Sequence, residues 1–380
     1  MRTPGWPAWR SCCPPLPRSL GSCCFPDRRS HRAQSENGDP LMKVMLTGGT
    51  GFVGSHLLES LLAAGHDVRL LARSEAKVKR VLREQGIEIQ DVVYGDMTDA
   101  DTVREALTGC DCVIHAAAAV EISSQRSVLD SNIAGNHNVL GSAVSLGLDP
   151  IVYVSSIATM FPPPGPEHTT DDPVVSLSTD YGRSKAEGEL YARELQGEGA
   201  PLVIFYPSGV YGPRDPGIGA TLKGLRDRLA YTWVITAGGN ACVDVRDLAR
   251  MMTKVIDQGP ERGARRYMAG GHFVSWAEEA DIVERITGRR VRRLPVPAWL
   301  LRLAARLVDF IKWVYPPFDY PLTREAAEYV VGCRPCDSRK TIEALGVGFR
   351  PTGETLGDAI AWLAKEGHID RKLAGRLLEG

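Results

Sequence analysis

The stretch "KVMLTGGTGFVGSHLLESLLAAG", residues 43–65, decides the fold of this chain. A short apolar run over 43–47 stops at a glycine cluster, and apolar residues then recur at helical spacing as far as Gly65. Gly48, Gly51 and Gly54 separate the predicted strand from the predicted helix. Glycine allows a tight turn and a close approach of the backbone to a ligand, and the amides at a helix N-terminus attract anions. The pattern therefore predicts a pyrophosphate-binding turn, with a plain strand-to-helix turn as the alternative.

The alternation of strand and helix continues along the chain. Further strands are predicted within residues 67–73, 87–96, 110–118, 150–158 and 201–212, with helical segments between them. Continuous runs of Val, Ile and Leu are typical of strands that are buried on both faces of a parallel sheet. The sequence therefore predicts an α/β fold built on a Rossmann-type, doubly wound parallel sheet.

Changes in composition and periodicity divide the chain into three predicted parts. Residues 1–41 are rich in proline, cysteine and arginine. We interpret them as a disordered leader, or as the product of an upstream translation start with the working protein beginning at Met42. Residues 42–213 hold the predicted nucleotide-binding domain. In residues 214–380 the periodicity weakens, which predicts a smaller, mostly helical substrate-binding region, parts of which complete the sheet.

The composition argues against several classes of function. A formal net charge of −1 provides no basic surface typical of nucleic-acid binding. Since no uncharged apolar stretch reaches about 18 residues, we expect no membrane span. Cys333 and Cys336 form a lone C-x-x-C pair without the second pair of a zinc site, so we expect a structural role for them and no metal. Nothing in the cysteine usage indicates an oxidising compartment, and we expect a cytoplasmic protein.

The segment "PAWLLRLAARLVDFIKWVY", residues 297–315, is a strongly apolar helical stretch in the C-terminal region. Arg302, Arg306, Asp309 and Lys312 recur in it at helical spacing and give it a polar stripe. We interpret the segment as an amphipathic helix packed within the protein, with contact at a membrane interface as the alternative.

The end of the second predicted strand indicates which dinucleotide is bound. A ribose 2′-hydroxyl is usually held by an acidic side chain about 20 residues after the glycine turn, and a 2′-phosphate by arginine. Here the strand ends in Arg73 and Ser74, with no acid before Glu75. NADP(H) is therefore favoured over NAD(H), unless Arg73 is only a solvated strand end.

Seven motifs stand in an order that is typical of one superfamily. They are "TGGTGFVG" at 47–54, "YGD" at 94–96, "HAAA" at 115–118, "SNIAGNHNVL" at 131–140, "VYVSSIA" at 152–158, "YGRSK" at 181–185 and "PSGVYGP" at 207–213. From Met42 to its C-terminus the chain resembles the extended branch of the short-chain dehydrogenase/reductase superfamily, also known as the epimerase/dehydratase superfamily. Within that branch it resembles the dihydroflavonol-reductase and 3β-hydroxysteroid-dehydrogenase-like groups.

This resemblance implies a catalytic set of Ser156, Tyr181 and Lys185, supported by Asn132, with Ser155 as the alternative serine. A neighbouring ammonium lowers the pKa of a phenol, which would suit Tyr181 to proton exchange near neutral pH. Ser156 would bind the substrate oxygen, and Asp96 matches the adenine-binding acid. The cofactor-binding residues that we expect are Gly48, Thr50, Gly51, Phe52, Val53, Gly54, Arg73, Asp96, Met97, Ala116, Ala117, Ala118, Tyr181, Lys185, Pro207 and Ser208.

The chain departs from the pattern of members that act on nucleotide sugars. Those members usually carry R-x-x-N before "YGP", where this chain has Tyr206 and then Ser208-Gly209, and it lacks an arginine ahead of Val243. We therefore expect an NADP(H)-dependent oxidoreductase that interconverts a ketone or aldehyde and a secondary alcohol on an apolar small molecule. The alternatives are a nucleotide-sugar epimerase or dehydratase, and a non-catalytic dinucleotide-binding protein. A homodimer is expected only by analogy.

Overall fold

The computed structural model describes residues 41–118, 128–175, 180–315 and 322–379, without the side chains of Asp180, Tyr181 and Glu325. The described residues all belong to one compact unit, residues 34–380. The leader predicted over 1–41 lies, up to residue 40, outside the described residues.

The elements alternate as the sequence predicts. The strands are β1 Lys43–Thr47, β2 Asp67–Ala72, β3 Val92–Tyr94, β4 Cys112–His115, β5 Ile151–Val154, β6 Leu202–Pro207, β7 Gly209–Tyr211, β8 Trp233–Ile235, β9 Gly239–Asp244, β10 Arg265–Ala269, β11 His272–Ser275 and β12 Arg293–Pro295. The helices are α1 Phe52–Ala63, α2 Glu75–Glu84, α3 Ala100–Leu107, α4 Val128–Ser145, α5 Asp180–Gly197, α6 Ala220–Ala230, α7 Val245–Asp257, α8 Trp276–Thr287, α9 Ala298–Val314, α10 Arg324–Gly332, α11 Arg339–Leu345, α12 Thr352–Lys365 and α13 Arg371–Ala374.

A seven-stranded sheet forms the centre of the molecule, in the order β10-β6-β5-β4-β1-β2-β3. Each strand runs parallel to its neighbours. Because β1 lies between β2 and β4, the chain winds in opposite directions on its two sides, which opens a crevice at the carboxyl ends of these strands. The predicted doubly wound Rossmann-type fold is therefore confirmed.

Helices cover both faces of the sheet, which explains the largely apolar character of its central strands. In β1, Val44 and Leu46 pack into the core beneath α1, α2 and α7, whereas Met45 packs into the core on the other face, with α3, α4 and α5. Successive side chains of a strand point to opposite faces, so a strand that is covered twice must be apolar at every position.

The region after residue 213 contributes both to the central sheet and to a separate core. Strand β10 pairs with β6 and extends the sheet at that edge. A second core contains Trp233, Leu225, Leu356 and Ile360. Helices α8 and α12 belong to the region that the sequence predicts to be mostly helical. The division of the chain at residues 41 and 213 remains a prediction.

Helix α9 corrects the expectation that segment 297–315 packs through its apolar face. Ala305 is the one residue of α9 that is buried. Two residues of the polar stripe contact the rest of the protein instead: Arg302 forms an ion pair with Glu328, and Asp309 with Arg324, both on α10. Across the described residues, none of the helices combines the length and the apolar character needed to cross a membrane.

Candidate active site

The glycine turn forms where β1 meets α1. Gly48 has a φ of +78°, in the left-handed region that favours glycine, and its carbonyl accepts the Gly51 amide at 2.8 Å. A Cβ atom at position 54 would lie 2.1 Å from the Gly48 oxygen, and one at position 48 would lie 2.7 Å from the Ala117 nitrogen. Positions 48 and 54 therefore require glycine, since the backbones of the turn, α1 and the end of β4 meet without an intervening side chain.

A cavity of about 420 Å³ opens beside this turn, at the carboxyl ends of β1 to β4. Several of the predicted cofactor-binding residues line it: Gly48, Thr50, Gly51, Arg73, Asp96, Met97, Ala116, Ala117 and Ala118. Four different strand ends thus supply the lining, and the parallel topology brings them to one edge of the sheet.

Among the described side chains, the other predicted cofactor-binding residues do not line this cavity. Phe52, Val53 and Gly54 form the first turn of α1, and Gly54 packs against the turn itself. Pro207 ends β6, and the Ser208 hydroxyl donates a hydrogen bond to the Gly270 carbonyl at 2.7 Å. That bond joins the loops that follow β6 and β10, so it gives Ser208 a structural contact.

Lys77 lines the cavity although our sequence reasoning did not include it. Ser74 caps α2, and its hydroxyl accepts the Lys77 amide at 3.2 Å. This cap starts α2 directly after Arg73 and brings both cations to the same side of the cavity. A lysine in the first turn of the helix that follows Arg73 was the available signal. Thr47, Leu71, Ala72, Gly95, Thr98 and Ser131 complete the lining.

Lys185 is held at the carboxyl end of β5. Its ammonium group donates a hydrogen bond to the Val154 carbonyl at 3.2 Å and lies 5.8 Å from the centre of the Tyr153 ring. Burial lowers the pKa of Lys185 to about 8, although the Glu189 carboxylate opposes this shift. Tyr181 is in the first turn of α5, four residues before Lys185, and its side chain lies outside the described residues.

The two candidate serines have different environments. Ser156 precedes the short 3-10 helix Ile157–Met160 and is partly exposed, and its hydroxyl oxygen accepts the Ala158 amide at 3.1 Å. The Ser155 hydroxyl is buried and has no hydrogen-bond partner among the described residues. Both serines follow Val154, so Ser156 stands two residues from the carbonyl that holds Lys185.

Asn132 joins α4 to α5 beside Lys185. Its side-chain amide donates a hydrogen bond to the Ser184 hydroxyl at 3.0 Å, and both residues are buried. Asn132 therefore contacts the residue that precedes Lys185 on α5.

A buried polar network that our sequence reasoning missed lies behind the cavity. His115 contacts the Thr47 hydroxyl through Nδ1 at 2.7 Å and the Asn136 side-chain oxygen through Nε2 at 2.9 Å. Burial lowers the pKa of His115 to about 4, so the ring is neutral at pH 7. Because the Asn136 oxygen can only accept, the proton of the neutral ring is on Nε2, and Thr47 donates to Nδ1. Thr47 in turn accepts the Ala117 amide at 3.2 Å, which ties the network to the cavity wall.

Tyr206, which replaces an arginine typical of nucleotide-sugar enzymes, belongs to an internal network. Its hydroxyl donates a hydrogen bond to Glu189 Oε1 at 2.6 Å, and Arg193 Nε donates to the same oxygen at 2.6 Å. Burial raises the pKa of Tyr206 well above its usual range. Position 206 therefore supports α5 from within the core.

A parallel sheet whose winding reverses beside a glycine turn and a cavity defines a nucleotide-binding protein of the Rossmann class. Within that class the chain belongs to the NAD-dependent epimerase/dehydratase family, whose model matches residues 44–270. It is thus an NAD(P)-dependent enzyme of the extended short-chain dehydrogenase/reductase type.

Several curated proteins are similar over most of their length. A putative dihydroflavonol 4-reductase of Synechocystis sp. is 29% identical over 342 residues, which cover 85% of this chain and 95% of that protein. Sterol demethylase protein B of Methylococcus capsulatus is 29% identical, and the match covers 86% of this chain and 100% of that protein. Cinnamoyl-CoA reductase 1 of Oryza sativa is 26% identical, and the match covers 89% of this chain and 95% of that protein.

Solved structures share the fold. A nucleoside-diphosphate-sugar epimerase from Pseudomonas aeruginosa superposes with a TM-score of 0.67 at 23% identity, covering 87% of this chain and 99% of the other. The Bordetella bronchiseptica enzyme WbmH, solved in complex with NAD+, gives a TM-score of 0.63 at 22% identity. The match covers 86% of this chain and 99% of the other. At these identities the likeness shows the architecture alone.

Proposed function

We propose that this enzyme interconverts a ketone or aldehyde and the corresponding alcohol on an apolar small molecule, using NADP(H). The observation that carries the proposal is the buried ammonium of Lys185 at the end of β5, one helical turn after Tyr181. The reductase names of several relatives support oxidoreduction of a carbonyl group.

The cavity beside the glycine turn fits a dinucleotide. Gly48 and Gly54 let the turn pack closely against α1 and the end of β4, and the N-terminus of α1 offers amides to a pyrophosphate beside the turn. Arg73 and Lys77 line the same cavity, and two cations suit a ribose 2′-phosphate better than a neutral hydroxyl. We therefore assign NADP(H) as the preferred cofactor, with Arg73 and Lys77 as the residues that distinguish it from NAD(H).

The residues around Lys185 would transfer a proton to or from the substrate oxygen and stabilise the charge that develops on it. A bound nicotinamide supplies or accepts the hydride. Tyr181 exchanges a proton with the substrate oxygen, and the Lys185 ammonium favours the phenolate form of this residue. With a pKa of about 8, Lys185 is mostly charged at pH 7. Ser156 donates a hydrogen bond to the same oxygen and stabilises its developing charge, while Asn132 holds α4 against α5.

A residue exchange at position 206 supports an apolar substrate. The arginine that is typical of nucleotide-sugar members is replaced by Tyr206, whose hydroxyl is engaged with Glu189 inside the core. The names of the relatives, a dihydroflavonol reductase and a cinnamoyl-CoA reductase among them, also favour carbonyl compounds that carry an aromatic part.

Replacing Tyr181 by Phe tests this function. Loss of the proton donor should lower kcat at least about 100-fold, the lower range for general acid-base catalysis, while the Kd of NADPH changes less than about twofold. Turnover is followed as NADPH absorbance over a panel of steroid, flavonoid and aliphatic ketones, with Tyr231→Phe as the control at an exposed tyrosine. Full activity of Tyr181→Phe, or turnover of UDP-sugars but of no ketone, would contradict the proposal.

A further inference from the structure

Helix α9 presents a broad apolar face to the outside of the protein. Trp299 is 66% exposed, Phe310 59% and Val314 61%. At about 100° per residue, the exposed large apolar side chains of this face fall within an arc of about 120°. They are Trp299, Leu300, Leu303, Leu307, Phe310, Ile311 and Val314. Seven such side chains on one face form a contiguous patch of the kind that marks an interaction surface.

The orientation of this face is fixed by the opposite side of the helix. Arg302 donates through both Nε and Nη2 to the Glu328 carboxylate, at 2.9 Å each. Asp309 Oδ2 lies 3.2 Å from Arg324 Nε, two turns further along. Ala305, buried between these two ion pairs along the helix, allows α9 to approach its neighbours closely. Turning the apolar face inward would break both ion pairs, so the outward orientation belongs to the fold.

An exposed cation and amphipathic aromatic rings border the face. Arg306 is exposed halfway along α9, and Arg290 and Arg292 are exposed in the segment that precedes α9 in the sequence. None of these three arginines forms an ion pair with another residue that the structure describes. Trp299 stands in the first turn, whereas Trp313 and Tyr315, both well exposed, stand at the other end. Tryptophan and tyrosine favour the boundary between water and lipid, and free arginines favour anionic headgroups.

We propose that α9 binds in the plane of an anionic lipid bilayer, with its apolar face buried at the boundary between headgroups and acyl chains. A helix of 17 residues is about 25 Å long, and α9 does not meet the requirements of a membrane span. A wide apolar face bordered by basic residues is typical of helices that lie on a membrane. This inference goes beyond the proposed reaction and does not depend on it.

A second copy of the chain suits this face less well. The seam of a helix pair is a narrow stripe of residues at heptad spacing, whereas this face is about 120° wide. Arg306 also lies at the middle of α9, so a symmetric pair of helices crossing at their midpoints would bring two unpaired arginines together. That contact would be repulsive, whereas an anionic surface neutralises the same charge.

Flotation of the full-length protein with vesicles tests the proposal. We expect binding to vesicles of phosphatidylcholine and phosphatidylglycerol at 7:3 and much weaker binding to phosphatidylcholine alone. The double variant Leu307→Gln/Phe310→Gln should bind the anionic vesicles at least about tenfold more weakly, because two apolar side chains no longer enter the lipid. The matched control, Leu190→Gln/Tyr231→Gln, alters two exposed apolar residues outside α9 and should bind like the unaltered protein. All variants should keep the same melting temperature, since the replaced side chains are exposed.

A charge variant separates the electrostatic contribution. Arg306→Gln should weaken binding to the anionic vesicles about fivefold, the effect of one basic residue near such a surface. Sedimentation velocity without lipid reports self-association of the same proteins. The proposal is overturned if the unaltered protein does not float with anionic vesicles, or if the α9 double variant floats as well as the control. Loss of a dimer on changing Leu307 and Phe310 would likewise assign the face to a second copy.

Discussion

Two cations at the end of β2 make the cofactor preference testable at a single residue. Arg73 and Lys77 line the cavity together, and Arg73 lies 3.9 Å from Asp96. Arg73→Asp should weaken NADPH binding at least about tenfold while NADH binding changes little, because the 2′-phosphate would meet a negative charge. Fluorescence titration of both cofactors measures the change.

Arg80→Asp is the matched control, since Arg80 is an exposed cation on α2 outside the cavity lining. It should leave the ratio of the two affinities unchanged. If Arg73→Asp also leaves that ratio unchanged, the 2′-phosphate is recognised elsewhere.

His115 should make stability fall in mild acid. Burial depresses its pKa from 6.5 to about 4, so the unfolded chain binds a proton between those pH values that the folded chain does not. The stability that depends on the neutral ring is therefore complete above pH 6.5 and declines as the pH falls to about 4. The full effect is on the order of 3 kcal/mol.

Denaturant unfolding of the unaltered protein and of His115→Gln, measured from pH 7.5 to 4.5, checks this prediction. Glutamine has no titrating group, so the variant should lose less stability over this interval, whatever its stability at pH 7.5. Parallel pH profiles for the two proteins would show that the His115 ring does not titrate as proposed.

The environment of single residues in the candidate site could be predicted only in part. The sequence motifs led to Lys185, Asn132 and the serine doublet, because each belongs to a recognisable local pattern. Adjacent residues of an extended segment point to opposite sides, but the motif does not indicate which of the two serines points to the core. In the structure Ser155 is buried and Ser156 is partly exposed. The partners of His115 lie on β1 and α4, and such distant contacts leave no local pattern.

At the scale of elements, the join between β1 and α1 depends on the absence of a side chain at position 54. A methyl group there would overlap the Gly48 carbonyl. We expect Gly54→Ala to cost about 2 kcal/mol of unfolding free energy, typical of overpacking, and to weaken NADPH binding by displacing the turn. Denaturant unfolding and cofactor titration measure the two effects.

Gly197→Ala provides the control for Gly54→Ala. A Cβ atom at Gly197, the last residue of α5, meets no heavy atom within 4 Å. This substitution should be neutral or slightly stabilising, since alanine favours a helix. Equal stability of the two variants would mean that the turn adjusts to a methyl group.

Helix α9 shows where a periodic pattern stops being informative. The spacing of apolar and polar residues predicted the helix nearly to its ends and separated its two faces. It could not indicate which face is turned outward, because the partners of Arg302 and Asp309 lie on α10, which follows α9 in the chain. An amphipathic pattern is the same whether the apolar face meets a protein core or a membrane.

At the scale of the whole molecule, the central sheet is completed by a strand from the C-terminal region. β10, residues 265–269, pairs with β6, although α6, α7 and the strands β7 to β9 lie between these two strands in the chain. We expected parts of the region 214–380 to complete the sheet, but the sequence did not indicate which strand would do so. Local periodicity does not reveal this pairing, because it depends on which edge of the sheet is left open.

The sequence by itself determined the architecture and the location of the site. Runs of apolar residues that alternate with helices require a sheet covered on both faces, and glycines without room for a side chain require the turn at its edge. The tertiary structure alone decided that Lys77 joins Arg73 in the cavity, that His115 is neutral in a buried network, and that the apolar face of α9 is exposed. The physical reason is that local patterns follow from neighbours in the chain, whereas burial, hydrogen-bond partners and pKa values follow from neighbours in space.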